Sequence, residues 1–382
     1  MKLNSLQKKI LEKHRHNYRF CYNKAVCLIN DKSDKISDTR NAFAGKVEKK
    51  ASYNSYSKFE LKNLIVPSEC NSRTPWLLET GSNIRGQAVF EAHSRFKTCI
   101  SNITAGNINH FEMKYKSKRQ VSWTINIDKT NIKTYNTSDK CTAFSLYEET
   151  GILYANEKFK IDKDCKIHFD GINYFIIVPY DKQKIASNSS KQYFCSLDPG
   201  SRKFQTLYSP EGEVINIGEK ASGKLYNLLL NLDDTISKND KKLQIKLRIR
   251  IANLQKELHD KVSRFLCENY NNIIIPKLTK ENDIISKTNR KIKTKTVRQM
   301  VVLGHCKFIE KLKTKASEYT DVQVKIVTEE YTSQTCPKCH KLTKTSNETY
   351  KCKYCSFEMD RDFLGSRNIL LKDWNLLKIQ KC

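Results

Sequence analysis

Apolar residues follow two rhythms along this chain, and the changes of rhythm divide it. From Leu6 to about Asn30, Ile10, Leu11, Phe20, Val26 and Leu28 recur at loose helical spacing between lysines and arginines, which predicts one or two helices. A polar, lysine-rich stretch runs to Ser57. Phe59 to Leu64 and the Pro75-Trp76 step then lead into a long helical pattern from Ile84 to Ile103, closed near Gly106. Between Phe111 and Tyr180 the rhythm becomes alternation: Val121, Trp123, Ile125 and Ile127, then Cys165, Ile167 and Phe169, then Tyr174, Ile176 and Val178. With Asn, Asp and Gly turns between them, these runs predict a small antiparallel sheet or barrel. Asp181 to Lys191 is polar and patternless, the natural boundary.

Beyond it, Tyr193 to Leu197, Phe204 to Tyr208 and Val214 to Ile217 read as a three-strand meander with Asp198 at the tip of its first strand. A helix follows from about Lys241 to Leu266, its Leu247, Ile251, Leu254, Leu258, Val262 and Phe265 spaced three or four apart. Then come the strand Ile273 to Ile275, a basic loop ending in a helix near Val297 to Leu312, the strand Val322 to Val327, and a final amphipathic helix after Asp362. This order is that of the ribonuclease-H-like fold, in a mixed α+β chain. Such a fold gathers carboxylates at strand ends and on the last helix around two magnesium ions about 4 Å apart, which serve in-line phosphodiester displacement. Asp198 and Asp362 fit two of those positions. The strand Ile273 to Ile275 ends in Pro276-Lys277 with no acid, so Glu329 or Glu330, at the end of the neighbouring parallel strand, is expected to supply it; Glu281 and Asp283 are poorer choices.

Two Cys-x-x-Cys knuckles, Cys336/Cys339 and Cys352/Cys355, stand twelve residues apart between these acids. Doubled spacing of this kind predicts one structural zinc held by four thiolates, with no open position for catalysis. The other ten cysteines lack framework spacing and read as reduced thiols.

Charge adds a partner. Across 382 residues, 69 Lys plus Arg stand against 41 Asp plus Glu, a formal +28 that points to a polyanion. Tyr115, Lys116, Lys118 and Arg119 crowd cations beside an aromatic, and Lys246, Arg248 and Arg250 do so on the long helix, so both are candidate nucleic-acid contacts. The first residues lack the apolar core of a signal peptide and the apolar runs are too short to span a bilayer, predicting an intracellular protein without a membrane partner. In a eukaryotic host the nucleus is expected, although the cluster Lys291 to Lys295 is a weak import signal.

Several of these stretches resemble the Fanzor proteins, eukaryotic and viral relatives of the TnpB transposon nucleases. The likeness is carried by Ser196-Leu197-Asp198-Pro199-Gly200, by Ile273 to Leu278, by Glu329-Glu330-Tyr331-Thr332-Ser333-Gln334-Thr335-Cys336, and by Asp360-Arg361-Asp362 through Arg367 to Leu370. Weaker likeness runs upstream through Tyr22 to Ala25, Ile84-Arg85, Phe90 to Ala92 and Tyr115 to Lys118. The resemblance implies an RNA-guided DNA endonuclease with a split RuvC-like domain. Its alternatives are a catalytically impaired guided DNA-binding protein or transposon-derived regulator, and a transposase accessory protein. It implies a helical recognition lobe (1–110), a wedge-like β-barrel (111–185), a nuclease domain in two parts (192–332 and 358–382) and a zinc ribbon between them (333–357). On the family pattern Glu329 is preferred, with Glu330 in reserve, and Asp362 over Asp360. The partners implied are a guide (omega) RNA and target double-stranded DNA, in a monomeric ribonucleoprotein. Two departures stand out: the chain starts almost directly at its first helix where the family opens with a barrel strand, and Leu364 replaces a polar residue expected near the metals.

Overall fold

A computed structural model describes residues 1–33, 56–66, 74–135, 141–186, 190–277, 293–345 and 347–374. Glu281, Asp283 and part of the Lys291 to Lys295 cluster lie outside the described residues. The chain divides into two compact units, Met1–Asp181 and Lys182–Cys382.

The first unit begins with one long helix, α1 (Ser5–Ser33), whose true apolar stripe is Leu11, Tyr18, Cys21/Tyr22, Ala25/Val26 and Ile29. Phe20 and Leu28 are only partly buried beside it. α2 (Lys58–Ile65) starts at a capping box: Ser57 Oγ accepts from the Glu60 amide, and the Glu60 carboxylate accepts from the Ser57 amide. α3 (Ser82–Thr104) buries Ile84, Ala88, Val89, Ala92 and Phe96, and its small residues let α1 pack closely. The described strands of this unit form two antiparallel three-stranded sheets. One has the order β1 (Trp123–Ile127), β5 (Cys165–Phe169), β6 (Tyr174–Ile177); the other runs β2 (Lys133–Tyr135), β3 (Thr142–Ser145), β4 (Leu153–Ala155). Trp123, Ile125 and Ile127 point inward as their alternation predicts, and one apolar core runs through both the helices and the strands. At the start of the chain, Lys2 makes an antiparallel bridge to Tyr154 in β4, and the Met1 amine donates to the Tyr174 carbonyl at 2.8 Å.

In the second unit a five-stranded sheet has the order β11, β10, β7, β8, β9. β7 (Gln192–Pro199), β8 (Gln205–Tyr208) and β9 (Val214–Ile217) form the antiparallel meander; β10 (Tyr270–Pro276) runs parallel to β7, and β11 (Gln323–Val327) parallel to β10. Two helices, not one, separate β9 from β10: α4 (Glu219–Ser237) and α5 (Lys241–Asn269). The basic stretch likewise ends in two helices, α6 (Thr294–Leu303) and α7 (His305–Ala316). They break at Gly304, whose φ of 62° is left-handed and whose amide closes the last turn of α6. β10 is buried on both faces, which is why it reads as an unbroken Ile-Ile-Ile run. Ile273 and Ile275 join the core under α5 and α7, while Ile274 joins Ile369 and Leu370 of the last helix, α8 (Arg361–Asp373). The cysteine finger, with its hairpin β12 (Thr349–Lys351) and β13 (Glu358–Asp360), leads directly into α8.

Candidate active site

Alternation along β7 decides where Asp198 goes. Cys195 and Leu197 fall on the face covered by α5 and α7. Phe194, Ser196 and Asp198 therefore fall on the opposite face, against α8. The contact there is close: Ser196 Oγ donates to the Ser366 carbonyl at 2.7 Å, and a Cβ built on Gly365 would stand nearer than 3.0 Å to Asp198 Oδ2 and 3.2 Å from its Cγ. Only a residue without a side chain lets the helix approach the carboxylate this closely.

Asp362 and Glu329 both act on Asp198. Burial first, then the negative charges of Asp362 and Glu329, push the Asp198 carboxyl up to about 7, against a smaller opposing effect of Arg361. Glu329 is raised as well, by partial desolvation of its carboxyl, although the residue as a whole is exposed; Lys372 counters this in part. Lys203 Nζ stands 3.3 Å from Asp362 Oδ2 and 3.8 Å from Asp360 Oδ2.

α8 gathers the three acid-bearing segments. It carries Asp362 in its first turn and presents Gly365 and Ser366 to β7. Its buried Asn368 donates to the carbonyls of Thr332 (2.8 Å) and Thr335 (3.0 Å). Thr332 Oγ1 in turn donates to the Glu329 carbonyl at 2.8 Å, so the turn bearing Glu329 is pinned to the same helix. β11 supplies the approach: Val327 pairs with Pro276, and Lys277 donates its amide to the Val327 carbonyl, so the segment leaves the sheet beside the end of β10.

The two reserve acids have other work. Asp360 is the N-cap of α8, its Oδ1 accepting from the amides of Asp362 and Phe363. Glu330 is largely exposed and lies with Lys372, which donates to its carbonyl. Leu364 does not face the acids: it is fully buried with Cys336, Tyr350 and Cys352 beneath the finger. Sequence reasoning missed Lys203, Gly365 and Asn368; the basic turn Ser201-Arg202-Lys203 directly after Asp198 was the signal for the first. It also missed His305, whose buried ring is stacked on Phe204 and bonded through Nε2 to the Gly200 carbonyl at 3.0 Å, bracing the turn after Asp198.

Among the candidate nucleic-acid contacts, Tyr115, Lys118, Arg119, Lys246, Arg248 and Arg250 are exposed. Lys116 is held inside the first unit, 2.6 Å from Glu91 and over the rings of Tyr18 and Tyr22.

The cysteine cluster is built from two knuckles of the same design. In the first, the His340 amide donates to the Cys336 carbonyl and the Cys336 amide to the Lys341 carbonyl; in the second, Ser356 donates to Cys352 and Cys352 to Phe357. His340 and Ser356 both take positive φ, 61° and 56°, which turns each knuckle back on itself. Burial raises the Cys336 thiol to about 12 against the amides of Lys338 and Cys339 that face its sulfur, whereas at Cys352 burial is outweighed, chiefly by the amides of Tyr354 and Cys355, and the thiol is lowered to about 6. All four sulfurs lie within 4.8 Å of one another, with Cys336 to Cys355 at 3.6 Å and Cys339 to Cys352 at 3.5 Å. A tetrahedron with Zn–S bonds of about 2.3 Å has edges of about 3.8 Å, so the four thiols suit one zinc ion.

Comparison with known proteins gives consistent matches. The family model described as Cas12f1-like, TNB domain, matches residues 305–369, from α7 through the finger into α8. "Putative transposase A625R" of Paramecium bursaria Chlorella virus 1 is 28% identical over 390 residues, covering 96% of this chain and 84% of that protein. "TnpB-like protein L79" of Acanthamoeba polyphaga mimivirus is 30% identical over 393 residues, covering 96% and 72% respectively. "TnpB-like protein L770" of the same virus is 28% identical over 390 residues, with the same shares.

Proposed function

The chain belongs to the TnpB-like family, and from that membership we propose that it is an RNA-guided DNA endonuclease of the Fanzor/TnpB type. It cleaves double-stranded DNA selected by a guide RNA beside a short flanking motif, using a ribonuclease-H-like, RuvC-like domain. The observation that carries this reading is the position of Asp198, raised to about 7 by its burial and by two further carboxylates brought in from the end of β11 and the start of α8.

A divalent cation would relieve that arrangement, although the three carboxylates do not converge within 4.8 Å of one another as the four sulfurs do. The charges of Asp362 and Glu329 bear on buried Asp198, whose charged form is disfavoured until positive charge arrives. Asp198, Glu329 and Asp362 would hold magnesium, which when bound supplies activation of water and stabilisation of the leaving oxygen at a phosphodiester. The chain's own residues position these ligands. Gly365 admits the Asp198 carboxylate against α8, Asn368 fixes the turn of Glu329, and the Asp360 cap sets the start of the helix that bears Asp362. The Asp-Pro-Gly turn is braced by His305. Guide RNA and DNA lie along the basic surfaces, including Lys118, Arg119 and the start of α5, in a monomeric ribonucleoprotein.

One observation favours a second reading. Lys203 already sets a positive charge beside Asp362, as would suit a guided DNA-binding protein that does not cut. The test is to purify the protein with its flanking transcript, sequence the bound RNA, and offer the complex magnesium and a matching plasmid with a randomised flank. Guide-dependent cuts that vanish in Asp198→Ala and Glu329→Ala, with RNA still bound, support the nuclease. Target binding without cuts in the unaltered protein supports the binder, and absence of a specific RNA overturns both.

A further inference from the structure

The first unit contains a small cavity of ≈ 120 Å³ among α1, α3 and the segment leading into β1. Four cations line it: Arg15, Arg19, Arg95 and Lys116. Three are fastened in place. Arg15 bonds Glu12 and the carbonyls of Lys118 and Gln120, Arg95 pairs with Glu91 at 2.8 Å, and Lys116 pairs with the same Glu91 at 2.6 Å. Arg19, one helical turn after Arg15, makes no hydrogen bond or ion pair among the described residues, and its Nε is buried without a partner. Among the described residues two carboxylates, Glu12 and Glu91, serve three of these four cations, and Glu12 is further shared with the Trp123 indole N–H. A guanidinium carries five donors, and leaving a buried one unmet beside like charges is unfavourable unless an anion completes the site.

We propose that this cavity binds one phosphate group, with Arg19 as its principal ligand and Arg15, Arg95 and Lys116 as a preset cationic wall. The volume falls below the ~300–1,000 Å³ of pockets that enclose drug-sized ligands, so it suits a phosphate and not a whole nucleotide. The phosphate comes either from a nucleic-acid backbone, a source that rests on the function proposed above, or from a free phosphate ion.

The test uses the full chain without magnesium. Binding of an abasic single-stranded oligonucleotide, which offers phosphodiesters without bases, is measured against salt concentration for the unaltered protein, Arg19→Gln and Arg19→Lys. Thermal shifts with inorganic phosphate are measured at matched ionic strength. Arg19→Gln is expected to weaken oligonucleotide binding about tenfold and to lower the salt slope by about 0.7, the value for one lost single-strand phosphate contact, while Arg19→Lys keeps most of both. A thermal shift by inorganic phosphate that Arg19→Gln abolishes, with oligonucleotide binding unchanged, supports the site and assigns it to free phosphate. Equal affinity, slope and thermal shift in Arg19→Gln overturn the site. Because no readout involves cutting, that failure leaves the nuclease reading untouched, and failure of the nuclease leaves the Arg19 effect intact.

Discussion

Gly365→Ala should separate stability from activity at the acidic centre. A methyl group at 365 would stand nearer than 3.0 Å to Asp198 Oδ2 and 3.2 Å from its Cγ. Restoring ordinary contacts of ~3.5 Å requires the carboxylate or the helix to retreat by about 1 Å. Overpacking of this kind costs about 1–3 kcal/mol, and alanine in place of a helical glycine returns up to about 1 kcal/mol. The net loss of stability is then at most about 3 kcal/mol. If Asp198 holds magnesium as proposed, displacing its carboxylate by that distance should cost cutting about a hundredfold. Gly223→Ala is the control: it lies in α4 with nothing within 4 Å of the added carbon, and should stabilise by up to about 1 kcal/mol with cutting unchanged. Urea unfolding and single-turnover cleavage of a guide-matched plasmid measure the two quantities. A Gly365→Ala protein that cuts at the normal rate would refute the claim that this close approach organises the site.

Three further outcomes follow from the same geometry. Because Asp198 is raised in the folded chain, the native state holds its proton longer than the unfolded state, and without magnesium stability should fall as pH rises from about 4 to about 7; Asp198→Asn should remove Asp198's share of that fall, leaving that of Glu329, and be the more stable protein at pH 8, by at most about 4 kcal/mol from three pKa units, and parallel pH–stability curves for the two proteins would contradict the linkage. Leu364→Ala, in the cluster under the finger, should destabilise by about 2–5 kcal/mol, and removing zinc should impair cutting even when magnesium is restored, because the finger feeds directly into α8; unchanged cutting by zinc-free protein would show that helix to be independent of the finger. Asn368→Leu strands the Thr332 and Thr335 carbonyls and should cost about 1–3 kcal/mol while lowering cutting more than RNA affinity, which a cleavage assay beside RNA binding would detect.

Much of the sheet could be read from side-chain type alone, because burial there is simple. A central parallel strand must be apolar on both faces, so Ile273-Ile274-Ile275 announces itself, and the meander has turns at Pro199-Gly200 and Pro210 to Gly212. The elements that escaped are those whose patterns are short or blurred. β2, β3 and β4 have three or four residues each, too few to establish alternation, and β3 is buried throughout. α4 packs through Ala221, Leu225 and Leu229 and also buries Leu232, but Leu228 and Leu230 fill in the stripe and disguise its period. Gly304 looks like a tolerated helical glycine until its left-handed φ is known.

The acidic centre divides along the same physical line. Carboxylates at the ends of predicted strands are visible because their types are rare there, and Pro276 forced the search for the third acid to the adjacent strand. What α8 contributes is invisible for the opposite reason. Gly365 acts by having no side chain, Ser366 through its main-chain carbonyl, and Asn368 by reaching two carbonyls over thirty residues away in the chain. None of these depends on a residue type that stands out in a single sequence. Leu364 makes the limit concrete: numbered beside Asp362, it reads as a neighbour of the metals, yet the helical turn carries it under the finger while Gly365 meets Asp198. A position one residue away in sequence is rotated by about 100° on a helix of 3.6 residues per turn, so proximity to an acid in the chain and proximity to its carboxylate are separate properties.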